Sequence, residues 1–153
     1  MRSNLFMSTT KVSSEQTAGE ITRVLAKGGA KQIMIEYGAD QQATGITFAI
    51  EISGQSIAYK LPIRVGPVFA LLHKERRHSH WKYKDADQEQ AVRTAWRQVL
   101  RWVEAQLALV QTGMVDVREV FTAYMLCGTG ETLYERVAGS QYKLLEMDQE
   151  PRP

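Results

Sequence analysis

Three consecutive segments with alternating apolar and polar residues constrain this chain more than any other feature. Each carries a large apolar side chain at every second position, and together these are Ile33, Ile35, Tyr37, Ile46, Phe48, Ile50, Ile52, Ile57, Tyr59, Leu61 and Ile63. A period of two is typical of strands that bury one face. The four-residue connection 53–56 predicts an antiparallel hairpin with Ile52 opposite Ile57. The neighbouring predicted pair is Ile50 with Tyr59.

The opposite face of the predicted strands is polar or built from small side chains. Its residues are Gln32, Met34, Glu36, Thr47, Ala49, Glu51, Ala58 and Lys60. In an antiparallel sheet such a face usually meets solvent, and it is less often a flat platform for a partner. Both interpretations stay open at this point.

Helical patterns flank the predicted strands. Ser13 and Gln16 match a capping box, and Gly28 ends the apolar stripe that follows, which is Thr17, Ile21, Val24 and Leu25. After the strands, Pro67 suits the first turn of a second helix. Its apolar residues are expected to pack back on the sheet, and they are Val68, Leu71 and Leu72.

The longest helix is predicted over about residues 88–112, with Asp85-Ala86-Asp87 as the turn and N-cap before it. Its expected buried stripe consists of Val92, Ala95, Trp96, Val99, Val103, Leu107 and Val110. Asp116 and Glu119 form a capping box that opens a short helix, and a last helical turn is expected around Leu133.

The predicted order α-β-β-β-α-α-α describes an α+β fold, a three-stranded antiparallel meander with helices packed on one face. We expect a flexible N-terminal arm at 1–12, a single α+β domain at 13–138 and a flexible acidic tail at 139–153. The 153 residues are 44% hydrophobic, which excludes a fully disordered chain. One cysteine, no apolar run of about 20 residues and no secretory pattern predict an intracellular protein that does not enter a membrane.

Charge is segregated along the chain although it nearly cancels overall. There are 19 Lys and Arg against 17 Asp and Glu. Between Lys60 and Arg101, ten basic and four acidic residues give a net charge of +6, whereas the rest of the chain sums to −4. The sequence therefore predicts an electropositive patch, which is what polyanion binding requires.

A basic segment with interleaved aromatic residues is the main candidate site. Its candidate binding residues are Lys74, Arg76, Arg77, His78, His80, Trp81, Lys82, Tyr83 and Lys84. Lys and Arg neutralise phosphates, and Trp81 and Tyr83 could stack on unpaired bases. The alternative is a solvated connection whose aromatic residues anchor it to the core.

A row of arginines on the long helix is the second candidate. Arg93, Arg97 and Arg101 recur every fourth residue, so a helix aligns their guanidinium groups. Glu89 and Glu104 can relieve only the ends of this row, which favours an external anion at Arg97. The alternative is a solvent-facing stripe whose stems cover apolar neighbours.

Other chemistry finds little support in the sequence. The pair His78 and His80 lies among cations that oppose a metal ion, and Cys127 has no matching base. Walker, dinucleotide-binding, HExxH and nucleophile-elbow motifs are absent from the sequence. We therefore predict no catalytic residue, no metal and no cofactor.

Seven short strings resemble a family of small uncharacterised bacteriophage and prophage proteins, over roughly residues 11–135. They are Lys11-Val12-Ser13, Ala30-Lys31-Gln32-Ile33-Met34, Lys60-Leu61-Pro62, Ala95-Trp96-Arg97, Trp102-Val103-Glu104-Ala105-Gln106-Leu107-Ala108, Tyr124-Met125 and Thr132-Leu133-Tyr134-Glu135. The resemblance implies a phage or mobile-element origin, and hence the cytoplasm of a bacterial host, but no catalytic residue.

Two functions of different classes follow. The first is a non-enzymatic nucleic-acid-binding protein that favours single-stranded DNA with weak sequence preference and acts in phage replication or recombination. The second is a phage protein that binds and inhibits a host or defence protein through its basic helix face, with the small-residue sheet face as an oligomer or partner contact.

Overall fold

The computed structural model describes residues 5–75 and 84–142. These residues form a three-stranded antiparallel sheet in the order β1-β2-β3 and five helices, which confirms the α+β class and the predicted order of elements. The elements are α1 (Ser14–Lys27), β1 (Ala30–Tyr37), β2 (Ala43–Ile52), β3 (Gln55–Lys60), α2 (Val65–Glu75), α3 (Lys84–Gln111), α4 (Val117–Phe121) and α5 (Leu133–Gly139). A 3-10 turn, Thr122–Tyr124, follows α4.

The hairpin between β2 and β3 differs from its predicted register. Its turn is only Ser53 and Gly54, at φ 52° and 78°, which is the left-handed pair that a two-residue hairpin turn requires. Ile57 therefore lies opposite Ile50, and the predicted pairing with Ile52 is wrong by two residues. Because the shift is even, every large apolar side chain stays on the predicted face.

Tyr37 is exposed, and its predicted place on the apolar face is wrong. The β1–β2 register shifts between Glu36 and Tyr37, where Thr44 is an extra residue on β2. Such a bulge turns the end of the strand away from the core. A second shift, at Lys31 between Ala30 and Gln32, lies at the other end of β1.

Helix α1 begins and ends where the sequence predicts. The Ser13 hydroxyl accepts a hydrogen bond from the Gln16 backbone N–H at 3.2 Å, and Gly29, at φ 102°, follows the last turn. Helix α1 runs parallel to α3, since Arg97 contacts Glu20 near its middle, whereas Gly28 at its end lies against Leu107.

The main core lies between the sheet and the two parallel helices. Its largest fully buried side chains include Ile21 and Leu25 of α1, Ile46 and Phe48 of β2, and Trp96, Leu100 and Val103 of α3. Most of the apolar stripe predicted for α3 is confirmed, although its outer members Val92, Leu107 and Val110 are only partly buried.

Helix α2 packs elsewhere than predicted. Its buried residues Val68 and Leu72 form a separate cluster with Ala91 and Ala95 of α3, and Leu71 is half exposed. The prediction that α2 packs back on the sheet is therefore wrong. Helix α2 packs against α3. The other sides of α3 contact α1 and the sheet.

The start of α3 also differs from the prediction. The helix already includes Lys84, so Asp87 lies within its first turn instead of capping it. Asp87 is fully buried, which is unusual for a carboxylate and indicates a specific partner.

Residues 5–12, which the sequence assigns to a loose arm, contact α3. The Gln98 amide donates to the Phe6 carbonyl at 2.7 Å, and the Gln90 amide donates to the Thr10 carbonyl at 2.9 Å. The segment thus runs antiparallel along α3, held by side chains one or two turns apart. The predicted tail, residues 139–153, falls mostly on residues 143–153, outside the described part.

The capping box at Asp116 is confirmed and carries a pH-dependent contact. Asp116 Oδ1 accepts hydrogen bonds at 2.8 Å from the Arg118 side chain and from the Arg118 backbone N–H. These bonds lower the pKa of Asp116 from 3.8 to about 2.

Because the pKa of Asp116 is depressed by folding, its contribution to stability is present above pH 3.8 and is lost as the pH falls through about 2. An NMR titration of the Asp116 carboxyl carbon should give a midpoint near 2. In Arg118→Gln the midpoint should move up toward 3.8. An unchanged midpoint in that variant would contradict the assigned cause.

Candidate nucleic-acid interface

Helices α2 and α3 form a helical hairpin, and the predicted basic segment connects them in the sequence. The two helices pack through Val68, Leu72, Ala91 and Ala95. The segment between them, residues 76–83, lies outside the described residues. The hairpin thus fixes where the basic segment leaves and rejoins the fold.

Two of the predicted binding residues mark the ends of this connection. Lys74 lies in the last turn of α2 and Lys84 is the first residue of α3, and both are exposed. The other members of the predicted segment lie outside the described residues, and they are Arg76, Arg77, His78, His80, Trp81, Lys82 and Tyr83.

A buried contact joins the two helices directly beside the connection. His73 Nδ1 lies 3.0 Å from Asp87 Oδ2, and the Asp87 side chain is only 2% exposed. The His73 ring also stacks on Phe69, with the ring centroids 5.2 Å apart and the planes at 16°. The contact closes the base of the hairpin and explains why a carboxylate is buried in the first turn of α3.

The arginine row does not form the accessible surface predicted for it. Arg97 is only 7% exposed, and its Nη1 donates to Glu20 Oε2 at 2.9 Å. The same nitrogen lies 3.4 Å from the Thr17 hydroxyl. The expectation that an external anion neutralises Arg97 is wrong, because a carboxylate from α1 already does so.

The two flanking arginines also have partners within α3. Arg93 Nη2 donates to Gln90 Oε1 at 2.6 Å, and Arg93 is partly buried. Arg101 is exposed, and its Nη1 donates to both carboxylate oxygens of Glu104, at 3.1 and 3.0 Å. Of the three arginines, only Arg97 joins α3 to another element, whereas the contacts of Arg93 and Arg101 lie within α3.

Sequence reasoning missed Glu20 as the partner of Arg97, 77 positions away. One signal could have found it. Thr17 is a polar residue inside the apolar stripe of α1, and Glu20 flanks that stripe one turn later. A polar position in a buried stripe indicates a polar contact with the element that packs there.

An acidic cleft lies beside the start of α3 and limits where a polyanion can approach. Its volume is about 450 Å³, and its lining includes Asp40 of the β1–β2 connection with Asp85 and Glu89 of α3. Carboxylates repel phosphates, so this side of the hairpin does not suit a nucleic acid. The described residues contain no group of three or more His, Cys, Asp or Glu side chains that could hold a metal ion.

Comparisons with known proteins do not assign the chain to a family. No protein-family model, curated protein or solved structure matches the chain. Within residues 5–75 and 84–142, the helices lack the combination of length and apolar character that crossing a bilayer demands.

Proposed function

We propose that the protein is a non-enzymatic nucleic-acid-binding protein that favours single-stranded DNA, with weak sequence preference, in phage replication or recombination. The observation that carries the proposal is the position of Lys74 and Lys84, which are exposed at the two ends of the α2–α3 connection. The phage setting rests on the sequence resemblance alone.

The composition of the α2–α3 connection supports a polyanion as ligand. From Lys74 to Lys84 there are five basic residues and one acidic residue, a net charge of +4 over eleven residues. Neutralising phosphates with such cations releases counterions, so binding should weaken steeply with salt. Arg93, Arg97 and Arg101 are not part of the proposed site, because their guanidinium groups are held inside the protein or by Glu104.

The aromatic residues of the connection favour a single strand over a duplex. Trp81 and Tyr83 alternate with Lys82 and Lys84, and each base of an unpaired strand offers a face for stacking. Stacking tolerates every base, which agrees with weak sequence preference.

Fluorescence anisotropy with a labelled oligonucleotide at two salt concentrations tests the proposed site. We expect Lys74→Ala with Lys84→Ala to weaken single-strand binding about tenfold at low salt and to reduce the salt slope by about 1.4, since two phosphate contacts are lost.

The matched control is Arg23→Ala with Lys27→Ala, which removes the same charge from exposed positions on α1. Glu20 contacts Arg97 and Gly28 lies against Leu107, so Arg23 and Lys27, between them, lie about 20 to 35 Å along α3 from Lys84. The control should bind as the wild type does. Equal losses in the two double variants would reject the site, and absence of binding at low salt would reject the function.

Stacking is tested separately with Trp81→Ala. We expect this variant to lose about 1 to 3 kcal/mol of single-strand binding free energy while duplex binding changes little. Trp81→Phe should retain most of the affinity, because it keeps an aromatic face. Two results would contradict base stacking. One is an equal loss of affinity for Trp81→Ala and Trp81→Phe, and the other is an equal loss of single-strand and duplex binding in Trp81→Ala.

A host or defence protein as partner is the second candidate, and the polar and small side chains on the other face of the sheet favour it. On this face Glu36 Oε2 lies 3.7 Å from Lys60 Nζ, and Thr47, on the central strand, is partly exposed. The predicted docking through the arginine row loses its basis, since Arg97 is buried. A partner retained from nuclease-treated lysate by wild type and lost with Thr47→Asp would support this candidate.

A further inference from the structure

The two edges of the sheet differ in how they are covered. Beside β3, the Leu126 backbone N–H donates to the Ala58 carbonyl at 2.8 Å, and Met125 pairs with Tyr59. Beside β1, no backbone hydrogen bond to the outer edge comes from residues 5–75 or 84–142. An uncovered edge strand of eight residues is a template for pairing with another chain, and proteins normally block such edges.

The side chains of β1 indicate which strand fits this edge. Met34, at the centre of the strand, is 55% exposed although it is large and apolar. Ile33 and Ile35, on the other face, are only partly buried because β1 is an edge strand. A partner strand that brings apolar residues to these positions would cover all three side chains.

A second copy of β1 meets this requirement when the two strands pair antiparallel about Met34. A two-fold axis perpendicular to the sheet keeps both faces of the sheet continuous, so paired residues must share a face. With Met34 on the axis, it lies opposite Met34 of the second copy. Ile33 then lies opposite Ile35, and Gln32 lies opposite Glu36, so apolar residues meet apolar ones and an amide meets a carboxylate.

The neighbouring registers fit less well. An axis at Ile33 places Lys31 opposite Ile35, and an axis at Ile35 places Met34 opposite Glu36. The bulges at the two ends of β1 also confine regular pairing to residues 32–36, which are the five residues centred on Met34.

We propose that two copies of the chain associate through their β1 edges, centred on Met34, to form one continuous six-stranded antiparallel sheet. The dimer is independent of the nucleic-acid proposal, because β1 and the α2–α3 hairpin are separate elements. Pairing of the two edges leaves no open edge at β1, so the assembly closes at two copies.

Sedimentation velocity over a range of protein concentrations tests the dimer. We expect Met34→Lys to raise the dimer Kd about tenfold or more, because two like charges face each other across the axis. Met34→Glu should have the same effect. An equimolar mixture of the two variants should dimerise again, which misfolding of either variant cannot produce. Met114→Lys is the matched control, since Met114 is 66% exposed beyond α3, and it should dimerise as the wild type does.

Cysteine cross-linking tests the register in a Cys127→Ser background. Met34→Cys should form a disulfide-linked dimer under mild oxidation, because residues opposite each other in a sheet have Cβ atoms about 5 Å apart. Gln32→Cys should not link to itself, since the two copies of that residue are about 13 Å apart along the strands. A wild type that stays monomeric throughout, or a Gln32→Cys variant that links as readily as Met34→Cys, overturns the proposal.

Discussion

Phe121→Ala is expected to lower the free energy of unfolding by about 4 kcal/mol, the largest effect of any substitution considered for this protein. Phe121 is fully buried, and its ring packs edge-on against Phe48 at 5.4 Å and against Trp102 at 5.5 Å between ring centroids. It also lies 6.0 Å from the Tyr59 ring. Truncation therefore leaves a cavity where the sheet, α3 and α4 meet.

The reason for so large an effect is that α4 has little stability of its own. It is five residues long, far below the length at which a helix persists in isolation. Phe121 is its only buried residue and anchors it to the core. Urea unfolding followed by circular dichroism measures the change. Tyr134→Ala, at an exposed position on α5, should cost less than about 0.5 kcal/mol. A loss below about 1 kcal/mol for Phe121→Ala would contradict the packing described.

Glu20→Ala is expected to lower the free energy of unfolding by about 3 kcal/mol. It leaves the buried Arg97 guanidinium with only the Thr17 hydroxyl, 3.4 Å away, and an unpaired buried charge is costly. Replacing both partners, with Glu20→Leu and Arg97→Met, should cost less than about 1 kcal/mol, because no charge then remains buried.

The Arg101–Glu104 pair on the same helix supplies the control for this prediction. Both of its side chains are more than a third exposed, so Glu104→Ala should cost about 0.5 kcal/mol or less. The same urea titrations compare all four proteins. Equal losses for Glu20→Ala and Glu104→Ala would mean that the Arg97 contact is as screened by water as a surface pair.

Features that depend on near neighbours in the chain were predictable from the sequence. Alternation placed all three strands, because a strand with one buried face must repeat every two residues. Ser13 and Asp116 located helix starts for a similarly local reason, since a cap is completed within three residues. The hairpin register was wrong, because Ser53 and Gly54 make a tighter turn than four polar residues suggest. The face of Tyr37 and the start of α3 were wrong as well, since a bulge and an earlier first turn leave no clear local pattern.

The location of α2 depends on the size of the sheet, which no local pattern reports. Three strands about 4.8 Å apart give a face only as wide as one or two helices. Helices α1 and α3 cover it, so Val68 and Leu72 of α2 must find another surface and pack on α3. An apolar stripe shows that a helix packs, but not against which element.

The candidate site likewise has features that the sequence predicts and features that it does not. The basic composition of residues 74–84 can be read from the sequence, and so can the spacing of Arg93, Arg97 and Arg101. Whether a guanidinium is accessible depends on what lies across from it, and Glu20 comes from a distant part of the chain. Periodic cations on a helix are therefore candidates for internal ion pairs whenever both flanks of that helix are covered.

The position of α3 has a consequence for synthesis of the protein on the ribosome. Helix α3 contacts the segment near Phe6, α1, α2 and the apolar face of the sheet, so none of these can complete its packing before Val103 has left the exit tunnel. Nascent chains that stop short of α3 should expose Ile46 and Phe48 and be captured by chaperones that bind apolar segments. Protection against protease should then arise in one step when α3 emerges, instead of growing gradually with chain length.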